Sequence, residues 1–307
     1  MWFKMENIKN KKGLSITMIF KASSMNYGES IGNISELKKL TRGDGSVYTF
    51  ASRQAIRYDI VRLGKKMFNW KYDDIVDAKE GTVQFSKGLT IEDSEEMDLF
   101  GYFRTIKKEN SDTRSAAVRL SNAISLEEYK GDMEFLTNKG LADRISRHAD
   151  PVNIEQHLSY YTYTITIDLE KIGKDGEIEL SNEEKTKRIN QLLDIVKILN
   201  REIRGREENL SPVFIIGGMY DINSPFFLGR IKLNGKDGQF SIDTEMLKDT
   251  ATLTIGEKSI SEDTRVGIVK NTFKNEKEIE EMFERKTTNI EEFFKNIKEE
   301  VEEYYKA

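Results

Sequence analysis

The chain has 307 residues, 37% hydrophobic and 33% charged, with a formal net charge of −5 and no cysteine. That length suffices for one large domain or two ordinary ones with a buried core, and the missing cysteines exclude disulfides, thiolate zinc sites and a cysteine nucleophile. Charge is uneven: residues 1–71 carry 14 Lys/Arg against 5 Asp/Glu, residues 72–111 carry 5 against 10, and residues 276–307 carry 6 against 11, an asymmetry that suits either a polyanion on one face or plain solvated surface.

Residues 14–21 read as a strand, apolar and rich in β-branched side chains. Residues 22–48 carry Gly28, Gly32, Gly43 and Gly45 among Ser and Asn, and read as loop with a short helical turn near 36–40. Arg42-Gly43-Asp44-Gly45 is a turn signal. Residues 52–68 read as a helix capped by Ser52, with Ile56, Ile60, Leu63 and Met67 as its buried stripe and Arg53, Arg57, Lys65 and Lys66 at the surface. Residues 72–110 are acidic and lack a period, as an inserted lobe would. Residues 116–124 read as one strand, and 125–151 as a loop or small subdomain ending in Arg144, Arg147 and His148. In 160–169, Tyr161, Tyr163, Ile165 and Ile167 alternate with Thr and Asp, the clearest strand signal in the chain. Lys174-Asp175-Gly176 is a turn. Ser181 and Glu184 open a helix as a capping box, with Ile189, Leu192, Leu193, Val196, Leu199 and Ile203 as its stripe and Gly205 as its stop. Residues 213–218 and 266–269 read as short strands. Residues 226–242 read as a hairpin with arms 227–233 and 239–242 around residues 234–238. Residues 276–305 read as helix, broken near 287–289.

The order strand, helix, strands, helix, strand matches a split βαβ, that is, an α+β fold with a ferredoxin-like (RRM-like) palm carrying insertions. Two helices on one face of such a sheet leave the other face open, where RNA-binding modules commonly hold their ligand. Signals for catalysis are missing. His148 and His157 match no metal-ligand spacing and read as surface or hydrogen-bonded side chains. No Walker loop and no G-x-G-x-x-G follows a strand, and Gly217-Gly218 reads as a tight turn. Pairs such as Asp73-Asp74 and Glu95-Glu96 have nothing nearby to separate their pKa values, as acid–base chemistry requires. No metal, cofactor or catalytic residue is expected. No apolar run nears the roughly 20 residues of a membrane span, no signal-peptide core follows residues 1–12, and a cytoplasmic location is expected.

The N-terminal third is the most informative part. Phe20-Lys21-Ala22-Ser23-Ser24-Met25-Asn26-Tyr27-Gly28-Glu29-Ser30, then Gly32-Asn33-Ile34, Leu37-Lys38-Lys39-Leu40 and Tyr48-Thr49-Phe50-Ala51-Ser52-Arg53-Gln54-Ala55-Ile56-Arg57, resemble the opening of the DevR-type CRISPR-associated proteins, the backbone subunits of type I-B Cascade. Asp98-Leu99-Phe100-Gly101-Tyr102, the strand from Tyr161 to Leu169, and Arg265-Val266-Gly267 resemble later segments of that family in the same order. The resemblance implies a single hand-shaped domain over 1–307: a palm, a finger lobe at 72–115, a thumb hairpin at 226–242, and an acidic helical segment at 276–307. It also implies copies stacked head-to-tail along a guide RNA (crRNA), whose exposed bases pair with target DNA as a heteroduplex. Further Cascade subunits and a recruited nuclease-helicase would be the other partners, this subunit itself making no cut.

A helix N-terminus offers N–H groups and a positive dipole end to phosphate. Ser52, Arg53 and Gln54 there, with Arg57 one turn on, are therefore the leading RNA contacts, beside Lys21, Asn26 and Arg42. Phe226, Phe227 and Leu228 are candidates for a wedge that unstacks bases, with core packing as the alternative. Two rival functions remain. An RNA endonuclease of the same superfamily would need a metal-binding carboxylate, for which Asp44 is the candidate, and a transcription regulator would need a DNA-binding motif that the sequence does not display.

Overall fold

The computed structural model describes residues 10–79, 81–105, 111–236 and 238–306. Residues 1–9 of the basic N-terminal third, Glu80 and residues 106–110 of the expected lobe, Asp237 of the expected hairpin turn, and Ala307 lie outside them. The chain opens with β1 (Gly13–Ala22), β2 (Tyr27–Ile31), β3 (Ile34–Leu37), β4 (Lys39–Thr41), β5 (Val47–Ala51) and helix α1 (Arg53–Phe68). After one short ribbon (residues 76–77 and 84–85) come α2 (Glu95–Phe100), a second ribbon (residues 102–104 and 112–114), β6 (Val118–Leu120), β7 (Ala123–Ser125), β8 (Asp132–Thr137), β9 (Pro151–Gln156) and β10 (Ser159–Asp168). The second half holds α3 (Asn182–Lys197), β11 (Asn200–Ile203), β12 (Arg206–Asn209), β13 (Phe214–Tyr220), β14 (Leu233–Lys236), β15 (Gln239–Ile242) and α4 (Thr244–Ala251). It closes with β16 (Arg265–Ile268), α5 (Glu276–Phe283), β17 (Thr287–Thr288) and α6 (Ile290–Lys306).

The result is a mixed α+β protein built on a nine-stranded sheet of order β17-β16-β13-β1-β10-β7-β5-β4, with β6 also on β10. β1 lies at its centre, antiparallel to β10 from Gly13↔Asp168 to Ala22↔Ser159 and to β13 from Gly13↔Tyr220 to Ile19↔Phe214. Alternation splits the strands into two faces. Leu14, Ile16, Met18 and Phe20 of β1 join Tyr161, Tyr163, Ile165 and Ile167 of β10 in the main core, under the apolar stripes of α1, α3 and α6. On the other face Ile19, Tyr160, Phe214 and Ile216 form a second core with Phe227, Ile231, Ile242, Leu247, Ile279 and Phe283. The face expected to be open is therefore covered by residues 226–283 where β16, β13, β1 and the start of β10 lie. The Thr positions of β10 are not all solvated either: Thr164 is buried and its hydroxyl pairs with that of Thr17 at 2.8 Å.

Several elements differ from the sequence reading. Residues 27–51 form four strands instead of loop. β2 and β3 join β9 and β8 in a separate four-stranded sheet, order β8-β9-β3-β2. The helical turn expected near 36–40 is extended because the buried Glu155 carboxylate accepts from the Leu37 amide (2.8 Å) and the Lys39 ammonium (2.6 Å). The single strand expected over 116–124 breaks at Ser121, which bonds Thr164 through both its amide and its hydroxyl (2.9 Å each). At Ser181 the hydroxyl caps the Glu184 amide (3.2 Å), while the Glu184 carboxylate turns to Lys187 and Arg188 (3.0 Å each). The helix ends at Lys197, and Arg204-Gly205 form the turn of the β11–β12 hairpin instead of its stop. Gly217 and Gly218 sit inside β13, where a Cβ would come within 2.0 Å of the Ser15 carbonyl and 1.9 Å of the Asp263 carbonyl. In the hairpin expected at 226–242 only 233–236 and 239–242 are strands; 226–229 are turn, because Phe227 and Ile231 are drawn into the second core.

Candidate nucleic-acid interface

The start of α1 is fixed from three sides. Ser52 is extended (φ −67°, ψ 150°), and its hydroxyl accepts from the Ala55 amide at 3.3 Å. The Ser52 amide donates to Asn26 Oδ1 (3.4 Å) and the Arg53 amide to Asn122 Oδ1 (3.0 Å). These amides, expected to be free for phosphate, are satisfied by the protein. What this helix end offers a ligand is the exposed side chains of Arg53 and Gln54 and the dipole behind them.

Arg53, Gln54 and Arg57 share a groove of about 460 Å³ with Phe100, Val118, Arg119 and Leu120. Arg57 is half committed: its guanidinium lies over the Phe100 ring at 5.1 Å and pairs with Glu96 at 2.7 Å. A second groove of about 380 Å³ is lined by Arg42, Tyr48, Asn122, Thr162, Leu228, Lys232 and Asn234. There the Arg42 guanidinium stacks over Tyr48 at 4.3 Å. Asn122 lines this groove while its carbonyl holds the Arg53 amide, so the two grooves are neighbours. Arg42, Arg53, Arg57, Arg119 and Lys232 are the charged residues lining them, and no Asp or Glu joins these among the described residues.

The other candidates are placed apart. Lys21 is exposed at the end of β1, its ammonium 5.6 Å from the centre of the Tyr160 ring. Asn26 buttresses α1 through the bond to Ser52. Phe227 is 1% exposed in the second core, Phe226 packs edge-on against Tyr220 at 4.8 Å, and Leu228 is exposed at the second groove. Asp44 is fully exposed and its carboxylate accepts from the Ser46 hydroxyl (2.6 Å) and amide (3.0 Å), which hold its pKa below the usual range. His148 is exposed, and His157 is buried with Nδ1 2.8 Å from Thr49 Oγ1.

Arg119, Asn122 and Lys232 are among the lining residues missed in the sequence. Arg119 had a signal, since it alternates between the apolar Val118 and Leu120 of one short strand. Asn122 and Lys232 had none, because their partners in the groove are distant in the chain.

Fold and surface thus define an α+β protein with two adjoining cation-lined grooves beside a central sheet. The family described as CRISPR-associated negative auto-regulator DevR/Csa2 matches residues 14–236, and the chain belongs to that family. Among solved structures, a chain of a CRISPR RNA-guided surveillance complex in a pre-nicking state has the same fold, with a TM-score of 0.58 at 12% identity, covering 93% of this chain and 100% of that one. A chain of another CRISPR RNA-guided surveillance complex superposes with a TM-score of 0.52 at 14% identity, covering 92% and 99%. No curated protein matches the chain. Among the described residues no helix is long and apolar enough to cross a membrane.

Proposed function

We propose that this chain is a non-catalytic backbone subunit of a type I-B CRISPR surveillance complex in the cytoplasm. It binds crRNA through the sugar–phosphate chain, docks head-to-tail with its own copies and meets other Cascade subunits. The bases it leaves exposed pair with target DNA, whose cleavage falls to a recruited nuclease-helicase. The observation that carries this reading is the pair of adjoining grooves lined by five cations in a chain whose net charge is −5. Family membership supports it, as do the similar chains, which come from CRISPR RNA-guided surveillance complexes. So does the topology: β1, α1, β6/β7, β10, α3 and β13 follow in sequence, and the strands lie antiparallel in the order β13-β1-β10-β6/β7, the arrangement of a ferredoxin-like palm. Residues 72–115 are proposed as the finger lobe.

Lys21, Asn26, Arg42, Ser52, Arg53, Gln54 and Arg57 are proposed as the RNA side of the palm, joined by Arg119 and Lys232. The thumb needs revision. The segment 226–242 is largely tied to the second core, and of Phe226, Phe227 and Leu228 only Leu228 is exposed. The β8–β9 hairpin suits an unstacking wedge better, because β8 exposes Met133 (55%), Phe135 (63%) and Leu136 (39%) on the edge of its sheet, and large exposed apolar groups mark interaction sites.

The test is single-stranded RNA binding by wild type and the Arg53→Ala/Arg57→Ala double variant across a salt series. Wild-type affinity should fall steeply with salt, and the variant should bind more weakly with a slope reduced by up to about two charges. Equal affinity in the two proteins overturns the site. Cleavage of the RNA on adding magnesium supports the endonuclease reading instead, and preference for a specific DNA duplex supports a regulator.

A further inference from the structure

The β11–β12 hairpin carries three arginines, and two of them are paired with carboxylates. Arg201 Nη1 donates to Asp59 Oδ2 at 2.6 Å, and Arg206 pairs with Glu134 of β8. The third, Arg204, is exposed at the hairpin tip and lies over the Tyr27 ring, its guanidinium carbon 5.3 Å from the ring centre. Its backbone φ is +50°, a left-handed conformation that is unfavourable for residues with a Cβ and natural for glycine. An arginine therefore occupies a turn position that glycine fits better.

Tyr27 and the hairpin that carries Arg204 are both tied to their surroundings. The Tyr27 hydroxyl donates to the Glu155 carbonyl at 2.9 Å and lies 3.2 Å from Ser24 Oγ. The hairpin is pinned to the same loop by Glu208, whose carboxylate accepts from the Ser23 amide (3.0 Å), the Ser23 hydroxyl (2.7 Å) and the Ser24 amide (3.0 Å). Tyr27 directly follows Asn26, whose side chain holds the first amide of the α1 cap. The pair thus lies one residue along the chain from the residue that anchors the start of α1. A guanidinium resting on an aromatic ring keeps a second flat face, and unpaired bases stack on aromatic rings and arginine planes alike.

We propose that Arg204 and Tyr27 form a stacking platform for one unpaired nucleobase of a single-stranded RNA. This rests on the RNA-binding reading above and adds base stacking to a grip otherwise made on phosphates. The site is indifferent to base identity, because every base has a π-face.

The experiment compares the full chain on a short single-stranded oligouridine and on an abasic strand of the same length. Wild type should prefer the base-bearing strand by about tenfold. Arg204→Lys, which keeps the charge but not the flat face, should lose that preference with its affinity for the abasic strand unchanged. Arg204→Gly should lose the preference too. Its melting temperature should hold or rise, since glycine suits φ +50°. A preference retained in Arg204→Lys overturns the platform. So does a drop in melting temperature in Arg204→Gly with the preference intact, which makes the stack a structural brace. Failure of wild type to bind either strand overturns the RNA-binding reading, and the platform with it.

Discussion

The Asp98-Leu99-Phe100-Gly101-Tyr102 segment was legible in the sequence only as a family mark; its physical role lies in contacts with residues far along the chain. Asp98 is fully buried, and its carboxylate accepts from Arg114 Nη2 (2.7 Å), Arg188 Nη1 (3.0 Å) and the Gly173 amide (2.9 Å). Leu99 and Phe100 pack in the main core, and Phe100 lies under Arg57. The segment is thus a clasp between α1, α3 and the loop after β10. Removing one partner of a buried charge cluster leaves the others unpaired in a poor solvent, at a cost of about 3–5 kcal/mol. Asp98→Asn should lower the denaturation midpoint accordingly, and a loss below about 1 kcal/mol would contradict the clasp.

His157 gives a second test at this scale. Burial among Thr49, Tyr129 and Tyr161 holds the ring's pKa below its ordinary 6.5, while the nearby Glu127 and Asp132 pull the other way. Between the lowered value and 6.5 the unfolded chain binds more protons than the folded one. The ring's contribution to stability is therefore full above 6.5 and is lost as pH falls through that window. The melting temperature should drop between about pH 7.5 and pH 5, less so in His157→Gln. An identical pH dependence in the variant assigns the drop to other groups.

Among elements, legibility followed burial. β1, β10, α1, α3 and α6 were readable because their apolar residues repeat at the period of the element that buries them. β2, β4 and β8 were not, since they are largely exposed and their sequences carry the Gly, Ser, Lys and Asp of loops. The β11–β12 hairpin was hidden because Leu199 is buried and extends the helical stripe of α3 past its end. Gly217 shows the same limit from the other side. A glycine pair signals a turn on local grounds, yet here it lets β13 lie against β1 with φ +149° at Gly217 and no room for a methyl group beside the Ser15 carbonyl. The clash involves backbone on both strands, so no side-chain rotation relieves it. Gly217→Ala should destabilise the protein by about 3 kcal/mol or more, read as a shifted denaturation midpoint. A near-neutral result would mean that β1 and β13 separate easily, which their seven-residue register argues against.

For the whole molecule, the proposed RNA grip and the exposed apolar surface lie on different elements. The cation-lined grooves adjoin the start of α1, and the exposed apolar side chains of β8 project from a separate sheet. The sequence told of the first through its basic N-terminal third but not of the second, because the alternation in DMEFLT lasts only four residues before Leu136 breaks it. If β8 parts the bases of the RNA at the junction between copies, its apolar groups matter only once RNA is present. Phe135→Glu combined with Leu136→Glu alters two exposed positions, so the free protein's stability should stay within about 0.5 kcal/mol of wild type. With a long single-stranded RNA, light scattering should find several wild-type copies per strand. The variant should give fewer copies at equal protein, although the grooves still bind RNA. Equal masses for the two proteins would remove β8 from the assembly and return the wedge to the segment around Leu228.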